Sequence, residues 1–150
     1  MWISGGDHFC AKSMRRTSTY SAALHLISAR IADSIQRARS LGGEATRWAE
    51  QLQSTWTEVL AVTELLVTHP DRVVAMANSS IYLEAFGHTV IAWMWLDQIN
   101  AVAQRTGAYY DGKRCAASYF FRYELPKVSA HLDLLADIDI TKVNMNSDRL

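Results

Sequence analysis

Glu44-Ala-Thr-Arg-Trp-Ala-Glu-Gln-Leu-Gln-Ser-Thr-Trp-Thr-Glu-Val-Leu-Ala-Val-Thr-Glu-Leu-Leu-Val-Thr68 reads as one amphipathic helix. Trp48, Leu52, Trp56, Val59, Val62 and Leu66 recur at steps of three or four, the spacing of a single apolar helix face. Thr63 sits beside that face and interrupts it. Glu44 in the first turn suits the positive end of the helix dipole. Gly42-Gly43 precedes the stretch and His69-Pro70 follows it. Glycine readily takes the left-handed conformation just past a helix end, and the residue before proline is pushed out of the α region.

The same spacing continues on both sides. Upstream, Leu24, Ile27, Ile31, Ile35 and Ala38 form one face of a helix from about Tyr20 to the glycine pair. Residues 1–19 show no sustained period and are expected to be irregular. Downstream, Pro70 fits the first turn of a third helix, from about Asp71 to Arg105. Its apolar residues cover more than one face, so it is expected to be the most buried element. Gly87 inside it is a poor helix former, for which a close helix crossing is the first reason to expect and a kink the second. After Thr106-Gly107, a fourth helix runs from about Tyr110 to Glu124. Pro126 kinks or restarts it, and Val128, Leu132 and Leu135 carry the spacing to about Ala136. The remainder reads as an irregular tail. The expected architecture is all-α, an antiparallel four-helix bundle in one helical domain over residues 20–150.

Composition agrees with that class. The chain has 150 residues, 49% of them hydrophobic and 20% charged, with two Pro and seven Gly. This is globular composition, and too poor in turn residues for a β-sandwich. Fifteen basic and fifteen acidic side chains give zero net charge, which argues against a general nucleic-acid binder. The greasiest run, Thr89 to Leu96, ends at Asp97, well short of the roughly 20 apolar residues a bilayer span needs. The start has no basic region followed by an apolar one, so a cytoplasmic protein is expected.

Spacing supplies little catalytic chemistry. A di-iron bundle needs two Glu-x-x-His pairs and two further inward Glu. Glu84 and His88 are four apart, and His25, His69 and His131 stand alone, so no metal site is expected. Cys115 lies in an Ala-rich helical stretch and reads as a small buried residue. Cys10 and His8 lack the third group and walled site of a thiol catalyst. No phosphate-binding glycine loop occurs. The aromatic residues Trp93, Trp95, Phe120 and Phe121 fill a core or form an interface. Two Trp spaced by two point about 200° apart on a helix, so one of Trp93 and Trp95 is expected to face a second surface.

Two blocks carry a family resemblance. Asn78-Ser-Ser-Ile-Tyr-Leu-Glu-Ala-Phe-Gly-His88 with Ala92-Trp-Met-Trp-Leu96 is the first. Tyr110-Asp-Gly-Lys113 with Ala116-Ala-Ser-Tyr-Phe-Phe-Arg-Tyr-Glu-Leu-Pro126 is the second. Together they resemble the extra C-terminal helical domain of a subfamily of acyl-CoA dehydrogenases, over roughly residues 20–145. Ser118 departs from the Arg the family often has there. Trp2-Ile-Ser-Gly-Gly-Asp-His8 resembles a piece of the middle β-domain of the same enzymes. Carried over by position, Trp2 would lie against a flavin ring and Ser4 would donate to the flavin edge. The long stretch that separates the two pieces in such enzymes, with its catalytic Glu, has no counterpart here, and Glu84 and Glu124 match no family base.

The resemblance therefore implies a truncated acyl-CoA dehydrogenase-like chain. Its helical domain would serve docking or oligomerisation, with no catalytic residue and no FAD-dependent oxidation of acyl-CoA on its own. FAD would belong to the full-length family. The expected partner is a second copy or an acyl-CoA dehydrogenase catalytic subunit. The competing readings are a subunit of a split FAD-dependent enzyme and a non-functional gene remnant.

Overall fold

A computed structural model describes the backbone of residues 7–145 and the side chains of residues 21–145. Helix α1 spans Asp7–Leu41. Most of the stretch expected to be irregular, from Asp7 on, is therefore helical, and residues 1–6, with Trp2 and Ser4, lie outside the described ones. Neither Gly nor Pro occurs between Asp7 and Leu41, so nothing in that stretch stops a helix that needs no apolar period to continue. Leu24 and Ile27 are half-buried, and Ile35 and Ala38 are buried. The helix ends at Gly42, whose φ of 76° is a left-handed conformation that side chains resist.

Helix α2 spans Gly43–Thr68 and buries Trp48, Leu52, Trp56, Val59 and Val62, five of the six expected face residues, while Leu66 is half-buried. Thr63, the polar interruption, is buried as well. Its hydroxyl donates to Val59 O at 2.6 Å and lies 2.7 Å from the Tyr82 hydroxyl, so its polarity is satisfied inside the core.

The expected third helix is two helices. Helix α3, Arg72–Met76, is capped by Asp71, whose Oδ1 accepts from Val73 N and Val74 N. A turn at Ala77–Asn78 intervenes, and α4 follows over Ser79–Val102. The break has a physical reason in Asn78. Its buried side chain donates to Asp139 O at 2.7 Å, tying the start of α4 to the C-terminal segment.

Gly107, at φ 114°, opens α5, Ala108–Tyr119. One π-helical turn, Phe120–Glu124, joins α5 to α6, Lys127–Ala136. Pro126 has no N–H for the carbonyl four residues back and would clash with it in a regular helix. The wider turn, closed by Leu125 N donating to Phe120 O at 3.0 Å, brings the chain to Pro126 and lets α6 restart. The tail expected to be irregular holds one more short helix, α7, Thr141–Asn144.

The described residues form an all-α helical bundle, as the periodicity predicts. Contacts divide the chain into residues 1–33 and 34–150. Within the second unit, α2, α4 and α6 pack on one another and α5 packs on α4. Leu52, Val59, Ala85, Ala92, Leu96, Val128, Leu132 and Leu135 make the core, and Trp48 stacks on Phe121 with ring centroids 5.4 Å apart. Each large aliphatic side chain so buried contributes about 1.5–3 kcal/mol.

Candidate functional site

Helix α4 carries Trp93 and Trp95, two of the residues the sequence singles out. Between His88 and Asp97 it carries no charge, and three of its sides meet different parts of the chain. Ala85, Thr89, Ala92, Leu96 and Ile99 are buried. The small side chains among them let neighbouring helices approach, and Thr89 Oγ1 donates to Ala85 O at 2.8 Å within its own helix.

On the second side, Trp93 Nε1–H donates to Ser34 Oγ at 2.9 Å. The Ser34 hydroxyl donates to Asp97 Oδ1 at 3.0 Å, and Arg37 Nη2 reaches the same oxygen at 2.7 Å. Asn100 Nδ2 donates to Ser34 O at 2.9 Å, while its buried Oδ1 has no partner among the described residues. The cluster fastens the last turns of α1 to α4. The Arg37–Asp97 pair is about half exposed, so it contributes at most about 1 kcal/mol. The neutral bonds at Ser34, sheltered from water, hold more firmly.

On the third side, Trp95 meets α5. Lys113 Nζ lies over the Trp95 ring and over the Tyr109 ring, 5.7 Å from each centroid, and donates to Gln98 Oε1 at 2.7 Å. The two tryptophans thus point to opposite sides, as their spacing predicts. The side that Trp95 takes is covered in part by this chain's own α5.

Further along, His88 stacks on Phe120 at 6.3 Å, and its Nε2 is 4.0 Å from Glu124 Oε2. Lys127 Nζ donates to the same Glu124 oxygen at 2.7 Å. That bond is the main cause that raises the Lys127 ammonium above its ordinary 10.5. Phe121 is 1% exposed and belongs to the core, whereas Phe120 is half-buried. These groups can bind and orient. Cys115, expected to be buried, is exposed. It falls on the outer side of α5, while its neighbour Ala117 turns inward.

The clefts among the described residues include two of about 240 Å3 each. One is lined by Leu41, Glu44, Trp48, Ile99 and Arg114, the other by Gln51, Glu58, Phe121 and Pro126. Neither fits a flavin dinucleotide. Both fall below the roughly 300–1,000 Å3 of small-molecule sites. Glu44 also puts a carboxylate at the N-terminal turn of α2, where a pyrophosphate would need donors. Among the described residues no three His, Cys, Asp or Glu side chains gather to hold a metal ion. No described helix is long and apolar enough to cross a membrane.

The fourth side of α4 is the feature missed by reading aromatics alone. Leu83 is 67% exposed, Ile91 43% and Met94 54%. They fall at helical steps with Gly87 among them, so the signal was present in the spacing. Among the described residues no close crossing accounts for Gly87, because a Cβ built there would meet no other element within 4 Å.

The family described as "Acetyl-CoA dehydrogenase C-terminal like" matches residues 25–146. No curated protein and no solved structure matches the chain.

Proposed function

Because the chain belongs to the acetyl-CoA dehydrogenase C-terminal-like family, we propose that it is a docking or oligomerisation module of acyl-CoA dehydrogenase lineage that performs no flavin chemistry by itself. The observation that carries this reading is the outward side of α4. A helix with apolar residues on more than one face ordinarily buries each of those faces, yet Leu83, Ile91 and Met94 stand open to solvent. Exposed apolar patches of this kind mark interaction sites.

The chemistry of the described residues supports the same reading. Among the described residues His88 meets Glu124, a contact shared with an exposed lysine, and neither residue lines either of the two clefts above. Oxidation of an acyl thioester needs a base at the α-carbon and a flavin to take hydride. FAD and the metabolism of acyl-CoA thioesters therefore belong, on this reading, to the partner or to longer members of the lineage.

Mixing tests it. The probe is a flavin-loaded acyl-CoA dehydrogenase catalytic unit lacking a C-terminal helical domain. Complex formation is followed by light scattering, alongside the self-association of the chain alone. Association by either route, abolished by Met94→Asp, is the expected result. A chain that neither self-associates nor binds the catalytic unit overturns the reading. Uptake of FAD by the isolated chain, with turnover of an acyl-CoA, would overturn it in favour of an enzyme.

A further inference from the structure

We propose that the outward side of α4 pairs antiparallel with the same side of a second copy of this chain, with Ile91 of each copy seated over Gly87 of the other. The inference rests on the docking reading above and names its partner.

The row Leu83, Gly87, Ile91, Met94 is self-complementary. Gly87 and Ile91 lie equally far on either side of residue 89, and so do Leu83 and Trp95. Reversing the helix about that point sets the large Ile91 against the empty space over Gly87, and Leu83 against the Trp95 end. α4 keeps a poor helix former at Gly87, although among the described residues no other element comes within 4 Å of a Cβ built there. A second copy supplies the close approach that the described residues do not. A two-fold interface uses one patch twice, so a single row suffices.

Charge fixes the register. Glu84 and Trp95 are about three turns apart on the same side of α4, and Lys113 lies over the Trp95 ring. An antiparallel two-fold keeps that side with itself, so the Glu84 carboxylate of each copy meets the Lys113 ammonium of the other. Within the chain, Lys113 engages two rings and the Gln98 amide, and among the described residues no carboxylate pairs with it. The row exposes on the order of 400 Å2 per copy, below the roughly 800 Å2 per partner of a standard interface. The pairing is therefore weak and rises with concentration.

Sedimentation velocity of the full chain over a concentration series tests it. The expected result is a monomer–dimer equilibrium that Glu84→Lys and Lys113→Glu each weaken about tenfold at low salt. An equimolar mixture of these two variants regains wild-type association, because each mixed dimer holds two opposite-charge pairs. Gly87→Leu, which fills the gap without changing charge, weakens pairing as well. Circular dichroism confirms that each variant keeps its helices. A wild-type chain that stays monomeric, or a mixture no better than its components, overturns the pairing. If the chain stays monomeric but still binds the catalytic unit through Met94, self-pairing falls and the docking reading stands. Loss of both removes both.

Discussion

Phe121 stacks on Trp48 with an interplanar angle of 11° and is 1% exposed, while Phe120 stands half-buried beside His88. The two rings are neighbours in sequence and unequal in energy. Phe121→Ala should destabilise the fold by about 3–5 kcal/mol. Phe120→Ala should cost less than half of that, both read from urea denaturation. Ser34 is the other decisive residue. It accepts from Trp93, donates to Asp97 and lends its carbonyl to Asn100. Ser34→Ala strands the indole N–H and should cost about 1–3 kcal/mol. A double-mutant cycle with Trp93→Phe should show strong coupling, because the first change removes most of what the second could take. Independent losses at the two sites would contradict the latch.

At the scale of elements, helix starts and stops were legible wherever glycine or proline marks them. Gly42, Pro70, Gly107 and Pro126 each fall at a boundary the spacing predicts. Gly42→Ala should cost about 1 kcal/mol, since φ 76° is strained for any Cβ. Boundaries set by tertiary contact were not legible. The break between α3 and α4 depends on Asn78 reaching Asp139 across the fold, which no local pattern announces. Asn78→Ala should destabilise by about 1–2 kcal/mol. It should also speed proteolysis in residues 137–145, read by mass spectrometry of limited digests. The end of α6 falls at Ala136, where the apolar spacing also ends, although no glycine marks it. Ile138 takes φ 51°, a position usually given to glycine. Its N–H donates to Leu135 O and that of Asp139 to Leu134 O, at 3.2 and 3.5 Å, which completes the stop without a glycine to mark it.

The π-helical turn supplies the carboxylate that shifts a neighbouring titration. The Glu124 bond raises Lys127 above 10.5. A raised ammonium contributes fully below its unfolded value and loses the contribution as pH climbs through the folded one. The pair should therefore leave stability level through neutral pH and lower it only above about pH 10.5. Lys127→Met should flatten that alkaline limb of the denaturation profile.

At the scale of the whole molecule, the bundle buries its core well but leaves one side of its most apolar helix open. The sequence told that apolar residues cover more than one face of α4, and that Trp93 and Trp95 point in opposed directions. It could not say which sides the chain would cover for itself. α2 and α6 take one, the end of α1 takes the Trp93 side and α5 takes the Trp95 side. The side that remains, Leu83, Ile91 and Met94 around Gly87, is where function is expected. Replacing Ile91 with Asp there should leave thermal stability within about 0.5 kcal/mol, as for a surface position away from any buried feature, while ending association.

The most direct measurement is the light-scattering molar mass of the chain across concentrations from about 1 μM to about 1 mM, the span that brackets weak and moderate affinities, with wild type and Ile91→Asp side by side. The expected result is a mass that rises from 16.9 kDa toward twice that value for wild type, while Ile91→Asp holds the monomer value. A wild-type mass that stays at the monomer, or a rise that Ile91→Asp shares, would contradict the account of α4 as an interface.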